Sequence, residues 1–356
     1  MREIHAKDLL NSPYLKRIGR YWYDDANRAL WFNFSAAGFR IKFRGSKLVA
    51  RFLATKSDDE KNRPYLSVFM NDKNNSQKAT IVELKEKKTA VEFFNGKDEI
   101  HVITILKRNE SLTSQVALYS LWCDGEFLLE EEKDSKIKIE YYGNSVTAGN
   151  GTAAEEGDEI FMTKTEDACL SFAYLSAQLL NAEHSLICAG GFPVYKSPWV
   201  DWCKIKSIIP MVEMADFDGN TTIENAHYWD NSAFIPNLVV FNLAANDSHY
   251  FDRIQDNSNY KDELQKFKDA YCALIDKIFM HYPKTKIVVT SGMIKVREDI
   301  ELILDEVARE YENTYRFKFT SLSVGGYMPN QGHPNAKMHE HAAKELVTFI
   351  QQKSLI

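Results

Sequence analysis

The stretch that decides the fold is KIKIEYYGNSVTAGNG, residues 136–151, in which an apolar strand pattern breaks into a glycine-bracketed turn carrying Ser145. A serine at the exit of a buried strand, flanked by Gly143 and Gly149, can project its hydroxyl into a cleft while nearby backbone N–H groups face the same space. A nucleophilic serine needs that arrangement, but an ordinary strand-to-helix turn uses the same residue types. Two distant segments separate the readings. LVVFNLAAND (238–247) puts an amide, Asn246, at a second strand end, and GHPN (332–335) puts His333 just ahead of a long amphipathic stretch. Pro334 disfavours helix at His333 and suits a helix start, so the imidazole is expected on the loop entering the last helix.

Working outward, residues 29–119 follow a period of two, as in Phe39-Arg40-Ile41-Lys42-Phe43 and His101-Val102-Ile103-Thr104-Ile105, separated by turn signals such as Gly45-Ser46 and Asn95-Gly96. That is the pattern of an all-β sandwich. The acidic run Glu130-Glu131-Glu132 interrupts it and reads as a linker. Beyond it the period becomes 3.6 in the stripes Cys169-Phe172-Leu175-Leu179, Leu264-Phe267-Tyr271-Leu274-Ile278 and Leu304-Val307-Ala308-Tyr311. These alternate with apolar strands at 137–142, 184–188, 238–243 and 287–290. Alternating strands and helices predict a parallel sheet covered on both faces, with ligands bound at its carboxyl ends. Two domains are expected, residues 1–130 and 136–356.

The order Gly143-Asn144-Ser145, Gly190-Gly191, Asn246, His333-Pro334 resembles the four blocks of the SGNH hydrolase superfamily. The β-rich region ahead of the serine, with Tyr228-Trp229-Asp230 ahead of the Asn block, resembles carbohydrate esterase family two in particular. The resemblance implies an N-terminal jelly-roll sandwich and a C-terminal three-layer α/β hydrolase domain with a mostly parallel sheet. It implies Ser145 as nucleophile and His333 as base. Oxyanion donors would be the Ser145 amide, the Gly191 amide (Gly190 being the alternative) and the Asn246 side chain. The implied activity is removal of O-acetyl groups from plant-wall-derived oligosaccharides of xylan or mannan type, without metal or organic cofactor. Two rivals stay open: a degenerate scaffold that only binds carbohydrate, and an esterase or thioesterase for lipid-like acyl chains.

The chain departs from the family pattern at three places. Asn144 stands where an Asp usually precedes the serine, Ala244-Ala245 where Gly-Thr usually precedes the Asn, and Asn330 and Gln331 where an acid usually precedes the histidine. A Ser-His dyad oriented by a backbone carbonyl or by Asn330 is therefore expected, with a remote Asp as the alternative. Tyr195, Trp199 and Trp229 lie in an aromatic cluster between the blocks and are candidates for stacking on a sugar ring. His339-Glu340-His341 lacks metal-ligand spacing and reads as a solvated helix face.

The net charge of −6 comes from interspersed acids and bases, which gives no footprint for nucleic acid. The N-terminal MREIHAKD has no apolar core of signal-peptide length, and no apolar run approaches the ~20 residues that span a bilayer. A cytoplasmic setting without a membrane partner is expected. The five cysteines lack metal-type spacing and read as reduced and structural. Self-association is left open.

Overall fold

The structure, a computed structural model, describes residues 2–71, 79–129, 135–155, 157–320, 328 and 332–356. In chain order the first-domain strands are β1 (Arg2–His5), β2 (Leu15–Ile18), β3 (Trp22–Asp24), β4 (Ala29–Trp31), β5 (Gly38–Ala54), β6 (Tyr65–Met70), β7 (Thr80–Glu83), β8 (Lys88–Lys107), β9 (Val116–Cys123) and β10 (Glu126–Leu128). They form one antiparallel sheet with the path β3-β4-β9-β5-β8-β6-β7, to which β1 adds on β9 and β2 and β10 on β5.

The long strand β5 explains how one sheet becomes a sandwich. Its first half buries Phe39, Ile41 and Phe43, and its second half buries Leu48, Ala50, Phe52 and Ala54. The inward set changes from odd to even positions across Gly45–Lys47, where the register against β8 shifts, as it does again between Leu48 and Val49, the extra residues lying on β8. A bulge bends the strand and resets its parity, so both halves keep their apolar residues inside. On its other edge the first half pairs with β2 and β10 and the second with β9, so the sheet curls over a single core. This is the sandwich that the alternation predicts, and the jelly-roll that the family resemblance implies.

The second domain holds β11 (Lys138–Gly143), β12 (Glu183–Cys188), β13 (Leu238–Asn242), β14 (Lys286–Ser291) and β15 (Thr314–Lys318), all parallel, in the order β12-β11-β13-β14-β15. Alternate residues of the buried strands face opposite ways. Tyr142, Phe241, Ile287 and Val289 pack with the helices Tyr260–His281 and Glu298–Glu310. Ile139, Tyr141, Val240 and Val288 pack with Phe172–Leu179 and Ala336–Gln352. The sheet is thus covered on both faces. Strand β15 escaped the sequence reading because its edge alternation, Tyr315-Arg316-Phe317-Lys318, contains no apolar run.

The last strand of the first sheet ends at Leu128 and the first of the second begins at Lys138; the acidic linker at 130–132 lies outside the described residues. The two domains are pinned by buried polar groups. Arg20, wholly buried, donates to the carbonyls of Met211 (2.8 Å), Val212 (3.0 Å) and Met214 (2.8 Å), to Glu140 Oε1 (2.9 Å) and to Tyr142 Oη (3.0 Å). Asp216 accepts from Trp22 Nε1 (2.7 Å) and Asn33 Nδ2 (3.2 Å), and His184 Nε2 lies 3.1 Å from the Ala36 carbonyl.

Candidate active site

Three strand ends meet in register. Gly143, the last residue of β11, is the partner of Cys188 on β12 and of Asn242 on β13. Ser145, the Gly190-Gly191 pair and Asn246 follow those three residues directly. In a sheet that runs outward on both sides of its first strand, the crevice opens beside that strand. Ser145 opens a single helical turn, Ser145–Ala148, whose N-cap is Asn144; the Asn144 Oδ1 accepts from the Val146 amide at 3.2 Å. Asn144 thus retains the capping oxygen that an Asp would supply. The turn folds back so closely that a Cβ on Gly143 would lie 1.9 Å from Thr147 Oγ1, which excludes any larger residue there.

His333 Nε2 lies 2.7 Å from Ser145 Oγ, 188 residues away in the chain. The histidine is on the approach to the last helix, whose N-cap Asn335 accepts from the Met338 amide at 3.1 Å. In the Nδ1–H tautomer the hydroxyl donates to Nε2, the starting geometry for general-base activation. Asn330 and Gln331 lie outside the described residues.

Beside Ser145, residues 189–192 form a tight turn in which the Phe192 amide donates to the Ala189 carbonyl at 3.2 Å. Gly191 has φ +77°, as the third residue of a type II turn requires, and a Cβ there would come within 2.9 Å of Trp199 Cβ. The two glycines are not equivalent: the Gly190 amide donates to Glu110 Oε2, a residue of the first domain. Asn246 Nδ2 donates to the Phe192 carbonyl at 3.1 Å, which fixes its amide against the same turn. Asp247, wholly buried, accepts from the amides of Val194 (3.1 Å), Tyr195 (2.7 Å) and Lys196 (3.1 Å). Burial pushes its carboxyl up to about 6 against the opposing pull of those amides.

Sequence reasoning missed the charged cluster behind this turn. Lys107, Glu110 and Glu166 are all buried. Burial lowers the Lys107 ammonium to about 8 against the two acids, raises Glu110 to about 7, and raises Glu166 well above the ordinary carboxylate range. In the chain these residues sit among polar neighbours that read as surface turns.

The aromatic and histidine candidates divide. Trp199 is 52% exposed beside Gly191, with Arg253 5.4 Å above its ring. Tyr195 is half-buried and its hydroxyl donates to Glu263 Oε2 at 3.0 Å. Trp229 is corrected: it is only 8% exposed and packs edge-on to Tyr21 at 5.4 Å, because the first domain covers it. It stands in the domain interface instead of on a cleft wall. His339 is also corrected. His341 and Glu340 do face solvent, whereas His339 is wholly buried, its Nδ1 accepting from the Phe172 amide at 3.0 Å, and burial lowers it to about 3.

Comparison with known proteins bears on the fold and its two-domain layout. Residues 17–131 match the family described as Carbohydrate esterase 2 N-terminal. The chain is 23% identical over 261 residues to the cellulase/esterase CelE of Acetivibrio thermocellus, covering 71% of this chain but only 30% of that protein. It is 21% identical over 341 residues to the acetylxylan esterase / glucomannan deacetylase of Cellvibrio japonicus, covering 92% and 88% of the two chains. The solved structure of a family two carbohydrate esterase from Cellvibrio japonicus superposes with a TM-score of 0.81 at 20% identity, over 99% of this chain and 97% of that one. The chain therefore resembles family two esterases in both domains and in their order.

Proposed function

We propose that this protein is a carbohydrate O-acetyl esterase, a serine carboxylic-ester hydrolase that deacetylates plant-wall-derived oligosaccharides of xylan or mannan type. The observation that carries the reading is the 2.7 Å approach of His333 Nε2 to Ser145 Oγ where the strand ends converge. Ser145 Oγ attacks the acetyl carbonyl carbon as His333 takes its proton. The developing oxyanion is held by the Ser145 and Gly191 amides and the second Asn246 N–H, each such donor contributing roughly 3 to 4 kcal/mol to the transition state. Collapse expels the sugar oxygen, which takes the proton back from His333. Water, deprotonated by His333, then attacks the acetyl-enzyme, and acetate leaves as Ser145 recovers its proton.

The engaged state of the Gly190 amide favours Gly191 as the donor. Exposed Trp199, beside that donor, suits stacking on a sugar ring. None of the five cysteines forms a disulfide, which supports action in a reducing compartment such as the cytoplasm. The test is release of acetate from acetylated xylan and glucomannan fragments, followed position by position by NMR, with acetyl and octanoyl esters compared in parallel. Binding of the fragments without acetate release would favour the degenerate-scaffold alternative, and faster octanoyl hydrolysis the lipid-like one.

A further inference from the structure

The turn at residues 189–192 poses a mechanical problem. Both of its central residues are glycines, so the backbone about each can rotate at little steric cost. The Gly191 N–H hangs from the Gly190 α-carbon, so movement or rotation of Gly190 would re-aim that donor. An oxyanion donor works only when it is held in place before the charge develops. Something must therefore hold this turn.

The structure supplies a holder from the other domain. After β8 the chain 108–111 leaves the sandwich, still tied to it through Tyr65, and is gripped by the second domain. Arg108 Nε lies 2.9 Å from Asp167 Oδ2, and the Arg108 carbonyl accepts from the Ala168 amide at 3.0 Å. Asn109 Nδ2 donates to the Thr163 carbonyl at 2.7 Å, and the Glu110 amide donates to Glu166 Oε1 at 2.8 Å. Lys107 Nζ ties the segment from behind through the carbonyls of Asn109 (2.6 Å) and Glu110 (2.8 Å). All this fixes the Glu110 side chain, 6% exposed, so that its Oε2 receives the Gly190 N–H. The fit is close on a second count: a Cβ on Gly190 would lie 2.8 Å from Glu110 Oε1. The carboxylate thus grips the amide and packs against the α-carbon of the same residue.

We infer that Glu110 is a positioning residue for ester hydrolysis: its carboxylate, brought by the first domain, holds the Gly190 amide and so keeps the adjoining Gly191 N–H aimed at the reacting carbonyl oxygen. The inference rests on the esterase reading above. It makes the sandwich domain part of the acyl-transfer apparatus, because the holder and the held turn lie on different domains.

The test uses the full chain and 4-nitrophenyl acetate, with the active fraction counted by exhaustive labelling of Ser145 with a fluorophosphonate. Glu110→Ala is expected to lower kcat per labelled site by tenfold or more, with KM changed less than threefold, since a wandering donor is missed mainly in the transition state. Glu110→Gln retains a carbonyl oxygen for the Gly190 amide and is expected to recover most of the lost kcat. A merely structural role would lower the labelled fraction and the melting temperature but leave kcat per labelled site intact. That outcome overturns the inference, as does a Gln variant no better than Ala. Should Glu110→Ala fail to fold, Glu110→Gln and Glu110→Ser carry the same comparison. If the unmodified protein hydrolyses no ester at all, the esterase reading itself fails, which is distinct from a Glu110 variant with normal kcat.

Discussion

Replacing Arg20 by methionine should be among the most damaging single changes away from the candidate active site. The guanidinium is wholly buried and makes five hydrogen bonds, three to carbonyls in 211–214 and two to side chains of β11. Methionine fills the stem's space but leaves Glu140, also wholly buried, without its cation. Its remaining partners are the hydroxyls of Tyr142 (2.6 Å) and Ser185 (3.0 Å). Breaking a buried pair by removing one partner costs about 3–5 kcal/mol, and each carbonyl left dry adds ~1–3 kcal/mol unless water reaches it. Since domains are stable by only ~5–15 kcal/mol, a loss of about 5 kcal/mol takes much of the reserve. At an unfolding entropy of ~2.1 cal/mol/K per residue it lowers the melting temperature by roughly 7 °C. Urea unfolding followed by tryptophan fluorescence at pH 7 measures the change. The double variant Arg20→Met, Glu140→Gln removes the stranded charge while offering an acceptor to one hydroxyl and a donor to the other, and should recover at least 2 kcal/mol. A single variant within 1 kcal/mol of the original protein, or a double variant no better than the single, would refute the reasoning.

Ser145→Ala should abolish ester hydrolysis with the melting temperature within about 2 °C, because its side chain is only half-buried. His333→Ala should cost several orders of magnitude in kcat, whereas His341→Ala, on an exposed helix face, should cost little; equal losses in the two would displace His333 as the base. Asn246→Ala should lower kcat by roughly a hundredfold with KM nearly constant; a loss confined to KM would mark a ground-state contact instead. Burial lowers His184 to about 4, below its ordinary value near 6.5. The folded state thus prefers the neutral ring, and the stability this gives is present above pH 6.5 and drains away as the pH falls toward 4. About 3 kcal/mol is at stake. Urea midpoints measured across that window should fall less steeply in His184→Gln, and unchanged steepness would count against the argument.

Ser145 and His333 were legible in the sequence because each stands at a break in a strong periodic pattern, and such breaks in an α/β sheet fall at the strand ends where ligands bind. The four buried strands of the second sheet were legible for the same reason, as continuous apolar runs. Glu110 and Arg20 were not, since Arg108-Asn109-Glu110-Ser111 has the composition of an exposed turn and only docking of the second domain buries it. Trp229 misled in the opposite direction: an aromatic residue near the Asn block suits a sugar platform, but Tyr21 and Trp22 come from far upstream to cover it. Ala244 shows a subtler limit. Its departure from the family glycine proves to be a conformational matter, since its φ of +82° lies in the region that favours glycine. A single sequence prints the alanine but not the angle.

The grip of residue 110 on residue 190 also has a direction in time. Glu110 is synthesised 80 residues ahead of Gly190, and the strand that closes the first sheet ends at Leu128. At ~5–20 residues per second the ribosome takes roughly 3–12 s to run from Leu128 to Gly190, long enough for a sandwich domain to fold within ms to s. The sheet from which the 108–111 segment projects is therefore complete when the two glycines emerge, and acceptor and turn are seated together as the second domain folds onto it. A circular permutant beginning at the second domain would reverse that order and make the turn before anything existed to hold it.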